Sequence, residues 1–302
     1  MNKFIGGALL LAIVTAPAAA QTPSRADRIK ETGTITLGAP EASFPFAFLD
    51  QNQQAVGYTV DICKAVAKIV ADKLGIKNLT IRHRATTSST RLPLIQNGTI
   101  DLECGNTTNN ASRKQQVEFA PTTFVSQVVL AARKDTKADV NDLSTFAGKT
   151  ISATAGGQTF KAVATASAAK GYDIRMSGAP DMSRAFMLME SGRADAIVSD
   201  DGLLYAAVAS SKSPELYVIG TKGLELAPYG IVQPKGDPQF KTLVDGAVRQ
   251  LMADGTVAKL YDQYFMSPIP PNGVNLKYPM SDALKKAIGN PTDASDPDHY
   301  KP

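Results

Sequence analysis

Apolar and polar positions along this chain switch repeatedly between two periods. Residues 34–40, TITLGAP, alternate at period two, as a half-buried strand does. Residues 60–75 carry Val60, Cys63, Val66, Ala67, Val70 and Leu74 at helical spacing, and Gly75 is placed to stop that helix. LTIRHR at 79–84 predicts a strand, TRLPLIQNG at 90–98 a short helix ended by Asn-Gly, and IDLEC at 100–104 a buried strand. The series then restarts. Residues 128–134 predict a strand and 135–146 a polar connection. Residues 148–171 predict a strand, a Gly-Gly turn and a helix. A helix at 181–192 and a strand at 194–200 follow. Short apolar strands between helices imply parallel sheets covered on both faces, so the class is α/β.

PYGIVQPKGD at 228–237 reads as a strand running out of the second series, and 239–265 as two helices broken at Gly255 that return to the first. The chain therefore crosses twice, near 124–128 and 226–230, and two crossing strands make a hinge. The organisation expected is 21–126 for a first lobe, 127–227 for a second, and 228–302 returning to the first. The segment after Pro268 is rich in Pro, Asn and Asp, and its last dozen residues are predicted to be disordered.

One corner is written twice. LIQNGTIDLECGNTT at 94–108 and MESGRADAIVSDD at 189–201 each run from an apolar helix end through a polar residue and Gly to an Asp, a short apolar run and a polar stop. Ligands of open α/β sheets bind beyond the carboxyl ends of strands, so both polar stops are placed to line one cleft.

Residues 1–20 change the picture of where the protein works. Lys3, the apolar run from Phe4 to Val14 and Ala18-Ala19-Ala20 form a secretory signal peptide, with cleavage expected near Ala20 and a periplasmic product. Removing Lys3 lowers the formal charge from +4 to +3, with no long basic run, so nucleic acid is not an expected partner. Cys63 and Cys104 are the only cysteines. In an exported chain an even pair suggests one disulfide, the alternative being two buried free thiols.

These residues resemble a known family. FPFAFLDQNQQAVGYTVDICKAVA, LIQNGTIDLECGNTTNNASRKQQVEFA, ESGRADAIVSDDGLL, YGIVQPKGDPQF and SPIPPNGVNL are similar to segments of the polar amino-acid binding proteins of ABC importers, and to their glutamate/aspartate-binding branch. The resemblance spans about residues 30–280. It implies a type II periplasmic binding protein fold, two parallel-sheet lobes joined by a two-strand hinge. It also implies an amino acid held between the lobes, a membrane permease as partner, a monomer, and no catalytic residue or cofactor. With His83 and His299 the only histidines and no CxxC, no metal site is expected.

Carried over residue by residue, the resemblance places Arg113 on the ligand's α-carboxylate, a role suited to a forked guanidinium. Thr108 and the backbone after Gly105 add neutral donors, and Asn106 accepts from the ammonium. Asp200 pairs with the ammonium, although it could instead cap the helix that follows, a task for which Asp201 is better placed. The turn at 155–159, with Gly157 and Gln158 where relatives carry hydroxyl residues, offers backbone N–H groups at a helix start. Ser88 and Arg91 match residues around the side-chain carboxylate. Arg91 also reads as a structural residue opening its helix. Pro40 and Met182 depart from the branch, which has an arginine and a histidine there, and Arg184 or the Phe44–Phe46 edge could compensate. A periplasmic enzyme on the same fold, such as a cyclohexadienyl dehydratase, is the rival reading. It would draw its acid or base from Glu41 or Glu103.

Overall fold

A computed structural model describes residues 24–270 and 272–301; the signal-peptide reading falls outside them. The first sheet is built on Thr34–Ala39, which pairs parallel with Thr80–Ala85 from Thr34↔Thr80 to Ala39↔Ala85. On its other side Thr34–Ala39 pairs parallel with Leu102–Glu103. Val232–Gln233 and Glu118–Phe119 complete this sheet with antiparallel pairings. In the second sheet Arg175–Ala179, Thr150–Thr154 and Ala196–Asp200 are parallel, and Phe124–Arg133 runs antiparallel beside them. The result is two α/β lobes, each with a parallel centre and antiparallel strands where the chain arrives from the other lobe.

The two crossings are themselves paired. Phe124–Arg133 and Glu225–Tyr229 run antiparallel, in register from Phe124↔Tyr229 to Val128↔Glu225. The segment read as one outgoing strand at 228–237 is therefore two, Glu225–Tyr229 in one sheet and Val232–Gln233 in the other. The break falls at Gly230, where an added Cβ would lie 2.9 Å from the Ala120 carbonyl oxygen.

The helix read at 60–75 spans Tyr58–Leu74. Gly75 ends it at φ 73°, its N–H donating to the Ala71 and Asp72 carbonyls. The Cys63–Cys104 disulfide forms, with Cα atoms 6.1 Å apart, tying this helix to the end of the Leu102–Glu103 strand.

The repeated corner has one structural cause. Gly98 and Gly192 both take left-handed backbone, φ 80° and 77°, just after their helices. The next Asp then pins the neighbouring parallel strand. Asp101 Oδ2 accepts from the Thr36 N–H and Asp195 Oδ2 from the Thr150 N–H, each at 2.8 Å. The corner thus helps fix the pairing of neighbouring parallel strands in each sheet.

Three segments differ from the sequence reading. Arg25–Thr32 is a helix that buries only Ala26 and Ile29, too few apolar positions to show a period. The 47–56 region forms a small antiparallel sheet with Ala42–Ser43. The C-terminal tail is ordered, contrary to expectation. Asp282–Gly289 is a helix, and Tyr300 is 1% exposed, its hydroxyl bonding Thr122 Oγ1 and the Ala294 carbonyl, both at 2.8 Å. Few apolar residues anchor this tail, but each finds a site on the body.

Candidate functional site

The strands of both sheets end on one cleft. Pro40, Thr86 and Asn106, which follow first-sheet strands, face Thr154 and Pro180 at second-sheet strand ends across a cavity of about 560 Å³. That volume suits a small organic ligand.

Arg91 opens the Arg91–Gln96 helix and is 5% exposed. Its Nη2 donates to Ser88 Oγ at 3.4 Å, its Nη1 lies 3.9 Å from Glu103 Oε1, and its Nε is buried with no partner. Glu103 is fully buried, and its Oε2 accepts from Thr107 Oγ1 at 2.5 Å. This packing needs Gly105, because a Cβ there would lie 2.5 Å from Glu103 Oε1 and 2.8 Å from Pro40 Cδ.

Arg113 is also buried, on the one-turn helix Ala111–Lys114. Its Nη1 donates to the Thr108 carbonyl at 2.8 Å, and Asn110 Oδ1 caps the helix by accepting from the Arg113 N–H at 2.9 Å. Burial, then the like charge of Arg91, pull the Arg113 guanidinium down to about 9; Glu103, Asp200 and Tyr229 oppose that shift. It stays charged at neutral pH.

Asp200 ends its strand at the N-cap position of the Asp201–Ala209 helix, yet its side chain makes no capping bond. The neighbour does the local work: Asp201 Oδ1 accepts from Ser126 Oγ and from the Gln127 N–H at 3.2 Å. Asp200 is left buried beside Tyr229. Burial, with the Asp201 charge adding, pushes its carboxyl up to about 7 against the pull of Tyr229, Arg91 and Arg113. Burial and Asp200 in turn raise the Tyr229 phenol well above its ordinary value.

Of the eight residues singled out from sequence, Ser88, Arg91 and Asn106 line the cavity. Ser88 also lines a second groove of about 970 Å³, where it is joined by Arg113 and Gln158. The two openings share Ser88. Between them the lobes touch, since a Cβ on Gly156 would lie 3.3 Å from the Ser89 side chain. Thr108, Gly157 and Asp200 line neither space. Thr108 serves through its carbonyl, which holds Arg113. The N–H of Gly157 is already donated to the Thr154 carbonyl at 3.1 Å. The free donors of the Gln158–Lys170 helix therefore begin at Gln158. Phe46 is fully buried and does not face the cavity, while Arg184 lines it with its Nη1 2.6 Å from Asp181 Oδ2.

Sequence reasoning missed Tyr229 and the pairing role of Glu103. The signal for Glu103 was its place four residues before Thr107; nothing local marked Tyr229. Together these groups leave a concentrated polar demand. Among the described residues nine buried side-chain polar atoms lack a hydrogen-bond partner, and five of them belong to Thr86, Arg91, Glu103, Asp200 and Tyr229. Unpaired buried polar atoms are costly, so those of Thr86 and Arg91, which line the cavity, indicate groups open to a ligand.

Comparison with known proteins gives the family and several relatives. The model of the bacterial extracellular solute-binding proteins, family 3, matches residues 35–267. The chain is 40% identical over 293 residues to the L-glutamate/L-aspartate-binding protein of Pseudomonas aeruginosa, covering 96% of each. It is 36% identical to the glutamate/aspartate import solute-binding protein of Escherichia coli, covering 92% of this chain and 90% of that one. Among solved structures, an ancestral arginine-binding protein bound to arginine superposes with TM-score 0.69 at 26% identity, covering 77% of this chain and 98% of its own. An ancestral amino acid-binding protein described as a precursor of cyclohexadienyl dehydratase does so with TM-score 0.67 at 25% identity, covering 80% and 99%.

Proposed function

The chain belongs to the bacterial extracellular solute-binding proteins, family 3, and on that premise we propose that it captures glutamate or aspartate in the interlobe cleft for an ABC importer. The observation that carries this reading is the buried set of Arg91, Arg113, Asp200 and Tyr229. Two guanidiniums repel each other there, and a carboxyl group is held near neutrality by burial. An acidic amino acid relieves each strain at once. Its α-carboxylate pairs with Arg113, its side-chain carboxylate with Arg91 and Ser88, and its ammonium with Asp200 and the Asn106 carbonyl. The helix starting at Gln158 adds donors from the second lobe.

In this reading residues 21–126 and 228–302 move as one body and 127–227 as the other, about the paired strands Phe124–Arg133 and Glu225–Tyr229. The chain is exported to the periplasm by its first twenty residues and works as a monomer, delivering its ligand to a permease in the inner membrane. It is a binder, not a catalyst. Of the two candidate acids, Glu103 is engaged by Thr107 and lies beside Arg91, while Glu41 lines the cavity and is exposed.

Calorimetric titration of the purified mature protein against the twenty amino acids tests the assignment. Glutamate and aspartate are expected to bind best. A preference for cationic or large apolar amino acids would overturn it.

A further inference from the structure

Gln158 stands where relatives carry a hydroxyl residue, and its side chain bonds elsewhere. Its Oε1 accepts from Asn110 Nδ2 at 3.2 Å, across the cleft. Asn110 belongs to the first lobe and Gln158 to the second. Asn110 is held from behind: its Oδ1 accepts from the Arg113 N–H, which fixes the amide so that its nitrogen points at Gln158. Gln158 lines the same groove as Glu225, which begins the returning hinge strand. The neighbouring Asn109 is fully buried, its N–H bound to the Pro228 carbonyl at 2.7 Å and its Nδ2 to the Asp293 carbonyl at 2.9 Å.

We propose that the Asn110–Gln158 pair is a positioning latch, which couples closure of the lobes to the placement of Arg113. One amide serves both ends: its oxygen orients the helix that carries Arg113, and its nitrogen bonds the opposite lobe. The bond spans the cleft, so it exists only when the lobes are shut. It therefore favours the closed state whether or not the site is filled. With a ligand present it retards reopening. The Gly156–Ser89 contact lies beside it and sets the distance of approach. The two residues need not touch the ligand to raise its affinity.

The inference rests on the cleft being the ligand site, and its test separates the two ideas. Asn110→Ser keeps a capping oxygen on the Arg113 helix but does not reach Gln158. Gln158→Ala removes the bond and leaves the Arg113 helix untouched. Each variant should weaken L-glutamate about three- to tenfold, as loss of one net hydrogen bond does, chiefly through faster dissociation in stopped-flow measurements. The double variant should be no weaker than the stronger single effect, because both changes remove the same bond. In the absence of glutamate, small-angle scattering should show a larger radius for each variant than for the wild type. If wild-type protein ignores glutamate but the variants still expand, the latch stands and the ligand assignment falls. If glutamate binds and the variants match the wild type in dissociation rate and radius, or if the two losses add, the latch is wrong.

Discussion

Asp200 should make capture of the amino acid depend on pH, and its removal should expose a conflict between binding and stability. Without ligand, burial raises its carboxyl to about 7, from an ordinary value of 3.8. A ligand ammonium placed against it favours the ionised form and lowers that value again. Binding therefore needs the proton to leave. The apparent affinity is flat above pH 7 and falls by about tenfold for each pH unit below it, which is about 1.4 kcal/mol per unit. Between pH 8 and pH 5 the dissociation constant for glutamate should rise about 100-fold, provided the bound carboxyl titrates below 5. The charged groups acting on Asp200 are Asp201, Tyr229, Arg91 and Arg113. Asp200→Asn should flatten the curve. That variant should also bind glutamate more weakly at pH 8, by about 2–5 kcal/mol.

The stability effect runs the other way. Between 3.8 and about 7 the folded state holds a proton on Asp200 that the unfolded state has released, so the stability of the ligand-free protein falls as pH rises through that range. Above pH 7 the buried charge is a standing cost. Asp200→Asn should consequently melt at a higher temperature than the wild type at pH 8 in the absence of glutamate. Calorimetric titration at five pH values and ligand-free thermal melts supply both readouts. A glutamate affinity that is unchanged from pH 8 to pH 5, or an Asn variant that melts lower than the wild type at pH 8, refutes the reasoning.

Other outcomes follow from the same geometry. Arg113→Ala should weaken all amino acids that bind by a similar factor, while Arg91→Ala should weaken glutamate and aspartate far more than glutamine and asparagine, each by about 2–5 kcal/mol for the acids; equal losses for acids and amides on Arg91→Ala would contradict the roles given. Thiol titration of unreduced, denatured protein should find no free thiol. Replacing both Cys63 and Cys104 with Ser should lower stability by roughly 4 kcal/mol in denaturant unfolding, the chain-entropy value for a loop of about 40 residues. Deleting residues 290–302 removes the Tyr300 anchor and the Asp293 contacts with Lys114 and Lys241. Burial of one large side chain alone contributes roughly 1.5–3 kcal/mol, so the melting temperature should drop by several degrees, and an unchanged melt would show the tail to be dispensable.

The alternation of strand and helix was legible because burial leaves a local imprint. A helix shows its covered face every three to four residues and a buried strand as a short apolar run, so Tyr58–Leu74, Thr150–Thr154 and Ala196–Asp200 could be read within two residues of their ends. The repeated Gly-x-x-Asp corner was equally visible, because a left-handed turn and a strand-pinning carboxylate need fixed residue types at fixed spacing. Arg91, Arg113 and Asp200 were singled out by resemblance to the family rather than by local pattern. Tertiary structure alone decided how they meet. Asp200 and Tyr229 lie far apart in sequence and become neighbours because the Phe124–Arg133 strand pairs with both Ala196–Asp200 and Glu225–Tyr229. Asn110 and Gln158, 48 residues apart, meet across the cleft. The tail looked too polar to order, since its anchors are single residues whose partners, Thr122 and Asn109, lie on the opposite side of the sequence. Local pattern records whether a side chain is buried. It carries no trace of which distant group a pair of crossing strands will bring against it.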